Sequence, residues 1–462
     1  MMRLARCAAA ALCFWLLTAA GCASMPDTAF LSQRQNAQAA RFENARGPLS
    51  TRRSAAIVEA LKRSSGDLDI LERQIVLEQQ ITGNALITGN RVLLLQDGAA
   101  TYKALFAAIA AAKNHVNVES YIIDDDDVGH RFADLLIERQ AAGVQVNLIY
   151  DSFGSIGMPR AYFDRLRAAG VRVLEFNPFN PLALKRPWAP NHRDHRKLTI
   201  VDGRIAFLGG INISSVNSSG SSLKRDDEAA QLASGWRDTD IEVRGPVVAE
   251  FQKLFLDTWA RQGAAALPAL DYFPALAAEG DELVRAIGSS PEDPYSQIYL
   301  TLIAAIGNAE KQVYLTNAYF VPDPQLIAAL TAAAARGVDV RLILPSHSDA
   351  SPAFHAGRSH YAGLLAAGVK IHERRGALLH VKTAVIDSVW SCVGSSNLDW
   401  RSALDNDEVN AVILGRAFAA RMLAAFSVDM AASQAIDAAT WARRPLMTRV
   451  KEWLARLVER AL

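Results

Sequence analysis

The chain has 462 residues, half of them hydrophobic and 21% charged, with a formal net charge of +1. That length supports two or three domains with real cores, and the near-neutral balance argues against a dedicated nucleic-acid binder, which is ordinarily basic. Past the N-terminus no apolar run is long enough to cross a membrane as a helix.

The opening MMRLARCAAAALCFWLLTAAGC sets Arg3 and Arg6 before an apolar run too short to span a bilayer comfortably, then small residues, the layout of a secretory signal. Ala19-Ala20-Gly21-Cys22 resembles a lipoprotein processing box, so residues 1–21 are expected to be cleaved and Cys22 to become the lipidated first residue. Ala23 leans towards sorting to an outer membrane. The expected location is therefore the bacterial cell envelope, lipid-anchored and facing the periplasm. Cys7 and Cys13 leave with the signal, so Cys392 is the one remaining thiol and no intramolecular disulfide is possible. Residues 22–88 are polar and rich in Ala, Arg and Gln, and read as a tether with helical segments.

From residue 89 to 262 strands alternate with helices. NRVLLLQ, a turn at Asp97-Gly98 and an apolar-periodic helix lead into HVNVESYI; then come HRFADLLIERQAAG, VQVNLIYD, AYFDRLRAAG and VRVLEF. This alternation predicts an α/β layered fold. NPFNPLALKRPWAPNHRD follows as a Pro-rich loop, read equally as a rim for a site or as a solvated connection. Next is His195-x-Lys197-x4-Asp202, then Gly209-Gly210-x-Asn212. TIVDG and RIAFLG read as strands of a hairpin turning at Asp202-Gly203. Side chains alternate along a strand, so His195 and Lys197 share a face and Asp202 falls on the other, holding the turn or a buried partner. A two-residue loop sets Gly210 opposite His195, where a missing Cβ lets a ligand approach the backbone. Imidazole, ammonium and carboxamide together suit an anionic ligand.

Residues 263–285 read as a linker, and 286–431 repeat the plan. VYLTNAYFVPD set on VNVESYIID puts Asn317 against Glu119 and Tyr319 against Tyr121, and GVDVRLILP and GVKIHER repeat their counterparts. His380-x-Lys382-x4-Asp387 with Gly394-Ser395-x-Asn397 copies the first motif's offsets. Asp238 in WRDTD and Glu408 in NDEVN stand downstream as carboxylates to fix the tautomer of each histidine. Two half-sites imply a pseudo-twofold domain pair with one active site at the seam. Residues 432–462 form an expected C-terminal amphipathic helix. Its Val450, Trp453, Leu454, Leu457 and Val458 share a face flanked by Arg449, Lys451, Arg456 and Arg460. That face suits an anionic membrane surface or packing on the protein itself.

The paired motifs, with NHRDHRK, GGINIS, GWRDTDIEVRGPVV, YFVPD and NLDWRS around them, resemble the phospholipase D superfamily, and within it the bacterial cardiolipin synthases, from about Asn90 to about Ala431. The resemblance implies two phospholipase D-like α-β-α sandwich domains sharing one site. It also implies a phosphatidyltransferase that moves a phosphatidyl group from phosphatidylglycerol to another phospholipid. In that chemistry one imidazole attacks phosphorus to give a phosphohistidine, and the other protonates the leaving alcohol and then deprotonates the incoming one. The family pattern makes His195 the nucleophile and His380 the acid/base, although the pseudo-symmetry leaves the reverse open. Asp202 and Asp387 complete the catalytic motifs, and Lys197, Lys382, Asn212 and Asn397 hold phosphate oxygens. No metal or cofactor is required; His192-x-x-His195 has a zinc-like spacing, but the motif claims its second histidine. The alternative is a phospholipase D-type phosphodiesterase that hydrolyses phospholipid or, less readily, nucleic acid. Many such synthases carry an N-terminal pair of membrane helices, in whose place stands the lipoprotein-like signal.

Overall fold

The computed structural model describes residues 40–65, 70–178, 189–218 and 235–462, with Met25, Pro26 and Thr28. The expected signal, Cys22, most of the Pro-rich loop and the stretch after Ser218 lie outside the described residues.

Each half is built on a seven-stranded sheet. In the first half the order is Leu86–Gln96, Thr239–Arg244, Ile205–Gly209, Lys197–Val201, His115–Ser120, Gln145–Asp151, Arg172–Phe176. The last three strands are parallel and the others pair antiparallel. The second half repeats this order and these directions: Glu282–Ser289, Asn406–Leu414, Trp390–Gly394, Lys382–Ile386, Gln312–Asn317, Asp339–Pro345, Lys370–Arg374. Parallel strands covered on both faces read as apolar runs, and Leu148 to Tyr150 and Leu342 to Leu344 are such buried runs.

The halves are fused in two ways. The long strand Leu86–Gln96 pairs along its later part with Thr239–Arg244 and near its start with Glu282–Ser289, joining one sheet to the other. A common core adds Ile200, Leu208, Ile241 and Phe255 of the first half to Val385, Val393, Val409 and Phe418 of the second. Burial of such side chains stabilises by roughly 1.5–3 kcal/mol each, so the seam is a core rather than a contact between independent domains.

Several segments depart from the expected outline. The residues after Phe42 are not a tether. Phe42–Asn44 pairs with the start of the long strand, and Ile75, Leu77 and Ile81 of helix Ile70–Thr82 enter the second half's core. Glu78 and Arg285, both fully buried, meet at 2.6 Å, and the Trp390 indole N–H donates to the same carboxylate at 2.6 Å. Strand Glu282–Ser289 starts inside the expected linker. The expected single C-terminal helix is an edge strand Ser433–Ala435, short helix Ala438–Ala442, helix Leu446–Arg456 and a final turn Glu459–Ala461. Pro445, which lacks an N–H to continue a helix, stands at the break.

Candidate active site

The two motifs enter the site through strands that cross the seam. Arg193–Asp194, before the first motif, pairs with Asn406–Asp407 of the second half, and the His195 N–H donates to the Asp407 carbonyl at 2.9 Å. Symmetrically, Leu378–Leu379 pairs with Trp236–Arg237 of the first half, and the His380 N–H donates to the Arg237 carbonyl at 2.8 Å. Each histidine is thus hung from the opposite half.

Each also takes its carboxylate from there. His195 Nδ1 lies 3.0 Å from Glu408 Oε1, and His380 Nδ1 lies 2.7 Å from Asp238 Oδ2. The sequence pairs Asp238 with the first motif and Glu408 with the second by position; the fold exchanges them. A carboxylate accepting from Nδ1–H fixes the tautomer that leaves Nε2 bare as base or nucleophile. Glu408 also accepts from Ser402 Oγ at 2.7 Å and from the Ser395 hydroxyl. Asp238 stands beside Gly210, where a Cβ would come within 2.2 Å of its Oδ1. That glycine makes room for the carboxylate, not for a ligand. The hairpin loop also holds three residues, with Val201 pairing Ile205, and carried onward this register sets Ile211 rather than Gly210 against His195.

Both lysines are buried and fold back on their own motif: Lys197 Nζ donates to the His195 carbonyl at 2.6 Å and Lys382 Nζ to the His380 carbonyl at 2.5 Å. The Tyr121 ring lies 4.8 Å from the His195 ring and 5.0 Å from Lys197 Nζ, and Tyr319 covers His380 and Lys382 at 6.1 and 5.9 Å. Sheet register corrects the alignment of the halves by one residue. Ser120 faces Lys197 as Asn317 faces Lys382, so Glu119 is not the counterpart of Asn317. Asn212 and Asn397 are buried beyond the hairpins; Asn212 Oδ1 accepts the Ile122 N–H at 3.3 Å, and the Asn397 carboxamide oxygen has no hydrogen-bond partner among the described residues.

Burial sets the charges. It lowers His195 to about 4 against the pull of Glu408, keeping the imidazole neutral, and it lowers His380 too. Burial likewise brings Lys197 to about 7 and Lys382 to about 8, with Glu408 and Asp238 opposing. Burial alone raises Glu408, yet His195 and Lys197 beside it hold that carboxyl at about 2. The site is a pair of oriented imidazoles, His195 held neutral, beside two amines of reduced basicity.

The motif aspartates do not belong to this group. Asp202 accepts the backbone N–H groups of Lys113, Asn114 and His115, and Asp387 those of Glu310, Lys311 and Gln312. Both sit in left-handed turns, with φ of 53° and 52°, at the far ends of the strands that carry the lysines. Their carboxylates close the helix-to-strand connection, so both aspartates hold turns, as strand alternation implies for Asp202, and are not the catalytic groups that the motif suggests. His192 is also turned away, its Nε2 3.0 Å from Asp407 Oδ1 while His195 engages Glu408.

A family model described as "Cardiolipin synthase, PLD-like domain" matches residues 105–259 and 302–430, the two stretches that carry the two half-sites. The chain belongs to this family. It is 33% identical over 374 residues to a cardiolipin synthase of Geobacillus thermodenitrificans, covering 80% of this chain and 72% of the relative. It is 38% identical over 344 residues to cardiolipin synthase A of Pseudomonas aeruginosa, covering 74% and 68%. Among solved structures, the phosphatidylserine synthase of Haemophilus influenzae aligns with 83% of this chain and 99% of its own at a TM-score of 0.60. At 11% identity that match speaks for the fold alone. The protein is a phospholipase D-family enzyme of the cardiolipin synthase, phosphatidyltransferase type.

Three members of this family site escape a reading of the motifs alone. Arg196 lies between His195 and Lys197, fully buried, and bridges the seam: it donates to the Glu408 carbonyl at 3.0 Å, Thr258 Oγ1 at 2.7 Å and Glu119 at 3.4 Å. Arg237 binds both oxygens of Asp429, at 2.9 and 3.0 Å, behind the strand that presents Asp238. Trp236 lies 4.7 Å from the His380 ring. An arginine inside the motif and one beside Asp238 were visible signals, but their partners are distant in sequence.

Proposed function

We propose that the enzyme moves a phosphatidyl group from phosphatidylglycerol to a hydroxyl of a second phospholipid, through a phosphatidyl-histidine. His195 Nε2 attacks phosphorus, the bond from phosphorus to the glycerol oxygen breaks, and His380, which enters this step as the imidazolium paired with Asp238, gives that oxygen its Nε2 proton. The acceptor hydroxyl then returns a proton to His380 as its oxygen attacks phosphorus and releases His195. Lys197, Lys382, Asn212 and Asn397 hold the non-bridging oxygens. The carrying observation is the crossed pairing, in which each Nδ1 engages a carboxylate of the other half and so leaves Nε2 for the reaction. His195, held neutral by burial, suits the nucleophile. His380 keeps the shorter bond to its carboxylate, 2.7 against 3.0 Å, and suits the group that must bear a proton. A lipid on Cys22, holding the protein on the periplasmic side of the envelope, fits a substrate that never leaves the bilayer.

The roles are tested with a phosphatidyl ester of p-nitrophenol, whose leaving group needs no proton. His380→Ala is expected to release one p-nitrophenol per site and then stall, and His195→Ala to release none. Stalling by His195→Ala and silence from His380→Ala would reverse the roles. With phosphatidylglycerol vesicles, the parent is expected to give cardiolipin and glycerol; phosphatidic acid as main product would make it a hydrolase.

A further inference from the structure

The helix Leu446–Arg456 is divided lengthwise. Glu452 and Ala455 are buried on one side. On the opposite side Leu446, Val450, Trp453, Leu454 and Leu457 remain in water, with Trp453 60% and Leu457 65% exposed. These positions recur every three to four residues and form one stripe. Arg449 and Arg456 flank it on one side and Lys451 on the other, all exposed. Large contiguous apolar surface on a folded chain marks an interaction site, and an apolar stripe between basic flanks matches an anionic lipid surface.

Its place in the fold favours that partner. Ala455 packs with Val321, Ala356 and Trp400 in one small cluster. Val321 is two residues beyond Tyr319, and Trp400 three beyond Asn397, so the helix rests on the loops that present the site. Helix Ser351–Ser359, its main packing partner, begins two residues after Asp349, which accepts the Tyr319 hydroxyl at 2.6 Å. On the other half, the turn after Gln145–Asp151 leaves Phe153 and Ile156 exposed beside Tyr121.

Met25 and Pro26 arrive at the same spot. Met25 packs on the cluster of Ala455 and Trp400, and the Pro26 carbonyl accepts from Gln325 Nε2 at 2.9 Å.

We propose that the Leu446–Arg456 helix lies in the interface of an anionic phospholipid bilayer and holds the mouth of the active site against its substrate. This rests on the phospholipid reading of the site. Docking through a rigid helix spares the enzyme from extracting a lipid into water, since the site loops and the bilayer then share one boundary.

The test uses the full chain with Cys7→Ser, Cys13→Ser and Cys22→Ser, which removes lipidation, and a nitroxide on Leu454→Cys, Leu457→Cys or Lys451→Cys. Cys392 stays silent, because burial pushes its thiol up to about 12. On phosphatidylglycerol vesicles the labels at 454 and 457 are expected to gain contact with dissolved oxygen and lose contact with a polar relaxation agent, while 451 changes little. On phosphatidylcholine vesicles the effect is expected to fall at least fivefold. Labels at 454 and 457 that stay in water, or that are shielded without lipid by self-association, would overturn the proposal. Separately, Trp453→Asp with Leu457→Asp in the otherwise native chain is expected to lower turnover on vesicles tenfold or more. Turnover of detergent-dispersed phosphatidylglycerol should stay within twofold; an equal loss on both would also overturn it. A parent inactive on dispersed phosphatidylglycerol would refute the function proposed above, while the labels still report on docking.

Discussion

His195 and Glu408 are 213 residues apart in the chain and 3.0 Å apart in the fold. His380 and Asp238 repeat the arrangement in the opposite sense, at 2.7 Å. Neither half therefore owns a complete histidine–carboxylate pair. The two-residue strands that cross the seam at Arg193–Asp194 and Trp236–Arg237 fix both exchanges, so the site is assembled only when both halves are folded and joined.

Removing the charge behind either imidazole should damage chemistry more than binding. Glu408→Gln is expected to lower kcat by about 10²–10⁴, the range associated with a positioned acid or base, while KM changes less than about threefold. Steady-state kinetics with phosphatidylglycerol, alongside a thermal melt to verify folding, decides it. A kcat within threefold of the parent would reduce Glu408 to a structural partner.

The lysines predict the alkaline side of the pH profile. Burial holds Lys197 at about 7 and Lys382 at about 8, so rising pH strips positive charge from the groups proposed to meet the phosphate. The ratio kcat/KM should then fall between pH 7 and 9. A bound phosphodiester anion favours the charged ammonium, so the alkaline limb of kcat should lie at higher pH than that of kcat/KM. The acid limb from His195, lowered to about 4, should appear below pH 5. Flat kcat/KM from pH 7 to 9 would remove the lysines from control of binding.

Asp202 separates a staple from a catalyst. Asp202→Ala abandons the N–H groups of Lys113, Asn114 and His115; each unsatisfied buried group costs about 1–3 kcal/mol, moderated here by partial exposure. Urea unfolding should show a loss of about 1–3 kcal/mol, with kcat of the folded enzyme within about threefold at low temperature. A collapse of kcat at full stability would return Asp202 to the chemistry.

Much of this was written in the chain. The repeated His-x-Lys-x4-Asp spacing and its Gly-x-x-Asn continuation located both half-sites, because strand alternation alone sends His195 and Lys197 to one face and Asp202 to the other. The strand–helix order of each half was legible for the same reason: local periodicity reports which side of an element is covered. The crossed carboxylates were not legible, since periodicity within each half carries no information about which face of the other half meets it. The role of Gly210 was missed because a hairpin of three residues, not two, shifts the register by one, and only the Asp238 carboxylate beside it shows what the absent Cβ admits.

At the two ends of the chain the division is the same. Periodicity in the chain shows that residues 450–458 carry an apolar stripe between basic residues and that the segment after Phe42 has helical stretches. Which of these surfaces are covered is settled by contacts between distant segments. Glu78 finds Arg285 and Trp390 in the second half's interior, so the early helix is core. Glu452 and Ala455 turn the last helix's other side inward and leave Trp453 and Leu457 out. Side-chain pattern fixes what a helix offers; which face is buried depends on the partners that the fold brings to it, and those come from distant positions that local propensity cannot sense.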